Sequence, residues 1–302
     1  MNKMKKVIAV ALSATMMATI SGCTSSSAKY TKVGFGMVTT ISQGKVNTTT
    51  ATVGLDSKGK VAYLDIDCAQ QNTEATGDEL RSKYEKKEAY GMKGQSPIGK
   101  EWNEQIDAFT AWAQDKTLEE IAGVETMDFH GGKAAKEGTD LAAGCTITID
   151  DMLAAIAEAG ENMTEVKADK IGAGETTSIS QGKVNTTTVS VALDSKGKVV
   201  WSSIDCAQQN TEATGDELKS KYEKKEAYGM KGESPIGKEW NEQIDAFTAW
   251  AKDKTAEEIA SVETVDFHGG KAAKEGTDLA AGCTITIDDI LASYAEAFET
   301  AK

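Results

Sequence analysis

Apolar and polar side chains alternate through a Thr-, Val- and Ile-rich stretch from residue 33 to 68, broken at residues 42–45 and 56–60. A period of two places alternate side chains on opposite faces, so the pattern predicts antiparallel strands, with Gly59 in a tight hairpin between residues 48–55 and 61–67. The period then changes. Leu80, Tyr84 and Lys87 or Glu88 predict a short charged helix opening near Asp78. Trp102, Ile106, Phe109 and Ala113, at steps of four and three, predict a longer amphipathic helix after Ser96-Pro97. Thr117 with Glu120 is a capping box that starts a brief third helix. Residues 124–129 read as a further strand, residues 131–138 as a small-residue loop, and the stretch through Ala159 as a last helix. Thr148 and Asp151 have the spacing of a second capping box, and Asp150 and Asp151 suit the positive end of that helix. Strands followed by helices predict an α+β fold, an antiparallel sheet covered on one side by helices.

The whole pattern occurs twice. At an offset of 138 residues Gln43 superposes on Gln181, Cys68 on Cys206, Trp102 on Trp240 and His130 on His268, and roughly 100 of the 120 positions from residue 41 to 160 recur. Each copy is long enough to bury a core of its own. Two tandem domains are therefore expected, residues 33–160 and 171–302, joined by a linker at 161–170, where the similarity lapses and the composition turns polar.

The first 22 residues have the form of a secretory signal: Lys3, Lys5 and Lys6 lead an apolar stretch, residues 7–17, too short to span a bilayer. Ile20-Ser21-Gly22-Cys23 matches the lipobox of bacterial lipoproteins, which implies lipidation of Cys23 and an anchor on the extracellular face of the cell membrane. Residues 23–32 then read as the lipidated cysteine and a short Ser-rich tether. Removing the signal takes three lysines from a chain whose net charge is already −14. Such a surface repels nucleic acid and anionic lipid, so the membrane is met through the anchor alone. The remaining cysteines, Cys68 and Cys145 in one copy and Cys206 and Cys283 in the other, fit either one disulfide per copy or four small buried thiols. With no C-x-x-C pair and one histidine per copy, zinc is not expected.

The segment from Thr139 to Asp151, T-D-L-A-A-G-C-T-I-T-I-D-D, recurs letter for letter from Thr277 to Asp289. If Thr148 caps the following helix, the hydroxyl of Thr146 lies further out beside Gly144, open to a modifying enzyme or a phosphate. D-L-A-A-G-C-T-I-T resembles the D-x-x-S-G-A-T-x-T/S signature of the FMN-binding domain family, known from subunits of sodium-pumping and electron-bifurcating membrane complexes. Tyr90-Gly-Met-Lys93 and the run from Ser96 to Trp102 add similarity to a subgroup of lipid-anchored flavoproteins of Gram-positive bacteria.

In that family an ApbE-type flavin transferase joins FMN through its phosphate to the last Thr of the signature. Carried over, the resemblance matches Asp140, Gly144 and the acceptor Thr146 in the first copy, and Asp278, Gly282 and Thr284 in the second. Ala143 stands for the usual Ser, while Cys145 and Cys283 stand for the usual Ala beside each acceptor. The resemblance implies a redox carrier with two covalent FMN groups and no dedicated substrate pocket. Electrons would come from a membrane quinone-linked donor and pass to extracellular acceptors such as soluble flavins or ferric iron. It also implies that a piece of the excised signal is released as a peptide pheromone.

On this reading Gly144 lets the backbone approach the phosphate, the helix N-terminus supplies N–H groups, and Lys133 and Lys136 offset Asp150 and Asp151. His130 and His268, the only histidines, are either proton donors or stacking partners for the ring, or hydrogen-bonded loop residues. Tyr90 and Phe129 are stacking candidates, whereas Trp102 lies on an apolar helix face and belongs to the core. Asp65 and Asp67 share a strand face, but Asp65 becomes Ser203 in the second copy, which speaks against a duplicated acid–base pair. Residues 83–88 read as a solvated helix face. The competing expectation is a colourless surface lipoprotein that binds a ligand between the two copies.

Overall fold

The computed structural model describes residues 28–302. The expected signal segment, the expected lipidation of Cys23 and the expected pheromone stretch all fall outside the described residues. Strand β1 (Tyr30–Ser42) turns into β2 (Lys45–Leu55), and β2 into β3 (Val61–Gln71). The second turn is the expected hairpin. Gly59 has φ 75°, a value that glycine adopts at no steric cost, and the Asp56 carboxylate accepts from the Lys58 and Lys60 N–H groups at 2.8 and 2.9 Å.

The charged helix expected near Asp78 is broken into three pieces: a 3₁₀ turn at Gly77–Leu80, the single-turn helix α1 (Lys83–Lys86) and another 3₁₀ turn at Lys87–Tyr90. Ser82 and Glu85 cap α1 reciprocally, which restarts the chain in a new direction. Helix α2 (Trp102–Ala113) buries the predicted Trp102, Ile106, Phe109 and Ala113, and α3 (Leu118–Ala122) opens on the predicted box of Thr117 and Glu120. Strands β4 (Thr126–Phe129) and β5 (Gly132–Ala135) form a hairpin, so half of the expected 131–138 loop is extended strand. Helix α4 (Asp150–Glu161) follows.

The stretch 161–170 is not a linker. Within it β6 (Thr164–Ala168) adds to the free edge of β1, pairing Val33 with Thr164 and Tyr30 with Ala168, so the sheet order is β3-β2-β1-β6. An edge strand with one face in solvent carries polar residues, and that composition made it resemble a connector. The tether is likewise shorter than expected, since β1 begins at Tyr30. The second copy repeats the plan with β7 (Lys170–Ser180), β8 (Lys183–Leu193), β9 (Val199–Gln209), α5 (Lys221–Lys224), α6 (Trp240–Ala251), α7 (Ala256–Ala260), β10 (Thr264–Phe267), β11 (Gly270–Ala273) and α8 (Asp288–Thr300). The described residues thus combine antiparallel sheets with eight helices, as an α+β arrangement requires.

In each copy the last helix lies on one face of the sheet. The approach is close: a Cβ on Gly36 would stand 2.1 Å from the Ala155 carbonyl oxygen, and one on Gly174 would stand 2.3 Å from that of Ser293. The opposite face is covered as well, by the other repeat. Strand β2 is buried along almost its whole length, with Ala51, Val53 and Leu55 in the helix-facing core. On its other face Thr52 Oγ1 lies 2.6 Å from Ser190 Oγ, its counterpart 138 residues on. A residue meets its own counterpart only beside a two-fold axis, so the repeats are related by a pseudo-two-fold through this pair. Tyr30, Val33, Tyr63, Ala168, Ile171 and Ala192 form one shared cluster around it, and Phe35, Met37 and Ala207 another.

Drift between the copies collects on this shared face, where Phe35 becomes Ala173, Met37 becomes Glu175, Tyr63 becomes Trp201 and Asp65 becomes Ser203. Phe35 and Met37 add apolar surface on one side of the axis, whereas the second copy places Glu175 on the other, and buried acids lie on both sides. Desolvation, then the Asp67 charge, pushes Asp65 up to about 7. Desolvation also pushes Asp67 up to about 6, against hydrogen bonds from Ser82, Cys68 and Tyr84. Glu175 sits among Asp67, Glu85 and Glu296 with both carboxyl oxygens buried and unpartnered, and burial raises it well above the carboxylate range.

Candidate functional site

The duplicated segment begins as a tight turn, in which the Leu141 carbonyl accepts from the Gly144 and Cys145 N–H groups at 3.0 and 2.9 Å. Leu141 and Cys145 are thereby driven into the core while Asp140 stays exposed. A Cβ on Gly144 would stand 2.7 Å from Ala108 Cβ and 3.9 Å from Lys100 Nζ. Gly144 is therefore needed first for contact with α2, and the lysine beside the motif is Lys100. Lys133 and Lys136, expected to balance charge here, instead pair with Asp128 and Glu125 on the exposed β4–β5 hairpin, both at 2.6 Å.

Thr146 is half-buried, and its polar partner comes from α2. Gln105 Oε1 accepts from the Thr146 N–H at 2.8 Å and from its hydroxyl at 3.2 Å. The Gln105 amide nitrogen in turn donates to Ser96 Oγ and the Lys100 carbonyl, both at 3.2 Å, and to Met92 Sδ at 3.8 Å. Gln105 itself is fully buried, so these bonds hold the Thr146 hydroxyl in one place. Thr284 repeats the arrangement on Gln243 at 2.8 and 3.1 Å.

The capping expectation is overturned. Helix α4 has Ile149 at its N-cap with no side-chain cap, and Thr148 forms a β-bridge with Ala134. Asp150 accepts from the Lys133 N–H and Asp151 from the Thr40 hydroxyl, so both carboxylates tie the helix start to strands. The tertiary partners offered by β5 and β1 outcompete the local box. The disulfides considered for Cys68 with Cys145 and for Cys206 with Cys283 are not formed: all four are free, buried thiols. Cys68 stands on β3 and Cys145 at the α2 side of the core, where burial pushes its thiol up to about 11.

Beside the motif a cavity of about 580 Å³ opens between the sheet edge, α1, α2 and the β4–β5 turn. It brings together Tyr90, Trp102, Phe129 and His130 with Ile147 and Thr148. Trp102 is both core, as expected, and cavity wall. His130 occupies the exposed hairpin turn with φ 46°, its ring 4.2 Å from that of Phe129. His268 repeats this with Phe267 at 4.2 Å. Met92 joins the cavity to the Gln105–Thr146 pair, since it lines the wall and also receives the Gln105 amide. The buried Glu101 fixes that wall by accepting from the Met92 and Lys93 N–H groups at 2.8 and 3.1 Å. All but two of the lining residues recur in the second copy, Thr40 becoming Ser178 and Met152 becoming Ile290. The residues of the lining are thus copied while the shared sheet face has drifted.

Three residues central to this geometry were missed from the sequence: Gln105, Lys100 and Lys83. Gln105 is a polar residue next to Ile106 on a predicted core-facing helix, and a buried amide there needs partners. Lys83 was assigned to solvent but lines the cavity. Among the described residues no cluster of His, Cys, Asp and Glu is arranged to hold a metal ion, and no helix is long and apolar enough to cross a membrane. Comparison of the chain with family models, curated proteins and solved structures finds no match.

Proposed function

We propose that each repeat is a domain carrying one FMN, esterified through its phosphate to Thr146 in the first and Thr284 in the second by an ApbE-type transferase. The protein then relays electrons from a quinone-linked membrane donor to soluble flavins or ferric iron outside the cell, held at the membrane by lipid on Cys23. The observation that carries this reading is the acceptor hydroxyl: half-buried, fixed by Gln105 at 3.2 Å, and joined through Met92 to an aromatic-walled cavity. A cavity of about 580 Å³ falls within the usual range for a bound cofactor.

Bound FMN supplies the redox chemistry. Gln105 keeps the Thr146 N–H after the hydroxyl proton is replaced, Lys100 supplies positive charge toward a phosphate, and Tyr90, Trp102 and Phe129 give apolar walls that exclude water. A covalent bond also removes the dependence of occupancy on free flavin, which outside a cell is dilute.

Intact mass after co-expression with the transferase tests the proposal. Two FMN adducts are expected, one lost in Thr146→Ala, one in Thr284→Ala and both in the double variant. An unmodified mass, or an adduct surviving in the double variant, overturns it. A second reading is favoured by a cavity of about 550 Å³ between the repeats, lined by Phe35, Glu158 and Asn162 from one and Trp201, Asp205 and Tyr222 from the other. It makes the protein a colourless binder of a small ligand. The purified flavoprotein would instead be yellow and bleach with dithionite.

A further inference from the structure

Lys83 opens α1, and the Ser82–Glu85 capping box sets its direction. Its ammonium stands 5.7 Å from the ring centroids of both Tyr90 and Trp102, inside the cavity described above. Lys221 repeats the placement, 5.6 Å from Tyr228 and 5.6 Å from Trp240. Among the described residues neither lysine has a carboxylate at ion-pair distance. The acids around Lys83 are engaged elsewhere: Asp151 with the Thr40 hydroxyl at 3.0 Å, Asp150 with the Lys133 N–H, and Asp67 with the N–H groups of Cys68 and Tyr84. Burial alone would drive the ammonium toward its neutral form. Cys68 and Tyr90 beside it act against that pull and raise the lysine. A half-buried cation without a counter-ion is costly, and an aromatic cage recovers only part of the cost. Both repeats keep it.

We propose that Lys83 in the cavity and Lys221 at the matching place in the second repeat are counter-ions, each binding a planar aromatic ligand that carries negative charge in its ring. The inference rests on the flavin reading above and deepens it. Two-electron reduction of a flavin with uptake of one proton leaves its ring with one negative charge, the electrons coming from dithionite in the test and from the membrane donor in function. Lys83 and Lys221 would bind that form more tightly than the neutral oxidised ring.

The probe is riboflavin, which has the ring without the phosphate, and the protein is made without transferase so that Thr146 and Thr284 stay free. Anaerobic equilibrium dialysis near pH 8, with and without dithionite, is expected to show the reduced form bound about tenfold more tightly, the lower end for a charge pair in a half-buried site. Tenfold corresponds to a midpoint about 30 mV higher for a two-electron couple. In Lys83→Met with Lys221→Met the preference should fall to about onefold, and Lys83→Arg with Lys221→Arg should restore it. If the Met pair fails to fold, Lys83→Gln with Lys221→Gln replaces it and should lose the preference likewise. Equal affinity for the two forms, no binding of either, or a preference surviving the neutral substitutions overturns the proposal. Loss of the FMN adducts in the mass experiment would remove the ester at Thr146 and Thr284 while leaving a riboflavin preference intact, so the two failures are distinct.

Discussion

Thr52 and Ser190 face each other across the two sheets, both essentially inaccessible at 2% and 0% exposure, with their oxygens 2.6 Å apart. Thr52→Val keeps the shape of the side chain but leaves the Ser190 hydroxyl with no partner in a dry interface. A stranded buried hydroxyl costs about 1–3 kcal/mol, and Ser190→Ala strands the Thr52 hydroxyl in the same way. Removing both takes away the desolvated groups together, so the double variant should lie within about 1 kcal/mol of the parent. The cycle should therefore give a coupling of at least about 1 kcal/mol between residues 138 apart in sequence. Urea unfolding followed by far-ultraviolet circular dichroism and by tryptophan fluorescence measures it, Trp201 being one reporter at the shared face. If the repeats did not pack through these faces, the single effects would simply add. A coupling below about 0.4 kcal/mol would refute the pseudo-two-fold arrangement.

Replacing Gln105 with Leu removes the acceptor of Thr146 and the donor to Ser96 and Lys100. It should cost about 2–4 kcal/mol in urea unfolding, from two or more buried groups left unsatisfied, and should lower FMN transfer to Thr146 while Thr284 is still modified. A cost under about 1 kcal/mol with full modification refutes the positioning role. The shared acidic face sets the pH response. Desolvation raises Asp65, Glu158 and Glu296 to about 7 and Asp67 and Asp205 to about 6 in the folded chain. Because the folded values lie above the unfolded ones, the stability these groups contribute is present in full below about pH 4 and is lost as pH rises through 6–7. The urea midpoint should thus be higher near pH 5 than near pH 8, and Asp65→Asn should flatten part of the difference. A midpoint that climbs over the same interval contradicts the assignment.

Features with local causes were legible in the chain. The hairpin at Gly59, the apolar face of α2 and the box of Thr117 with Glu120 follow from a turn residue, a period and a spacing, and each formed as read. The duplication itself, and with it the near-identity of the residues that line the cavity to their counterparts in the second copy, needed only the letters. Thr146 was also singled out by its motif, whereas what holds it was not: Gln105 is 41 residues away, and nothing local marks the pair. Thr148 shows the same limit from the other side, because its capping spacing was real and a strand partner at Ala134 displaced it.

What the sequence by itself determined is the set of local elements and their repetition, the duplicated Thr146 segment included. The tertiary structure alone decided that β2 is buried on both faces, that residues 164–168 complete a sheet, that Lys83 turns inward and that the four cysteines stay apart. Those outcomes depend on surfaces that meet only after distant segments have folded, where burial and hydrogen-bond satisfaction outweigh any preference a short stretch of chain can express.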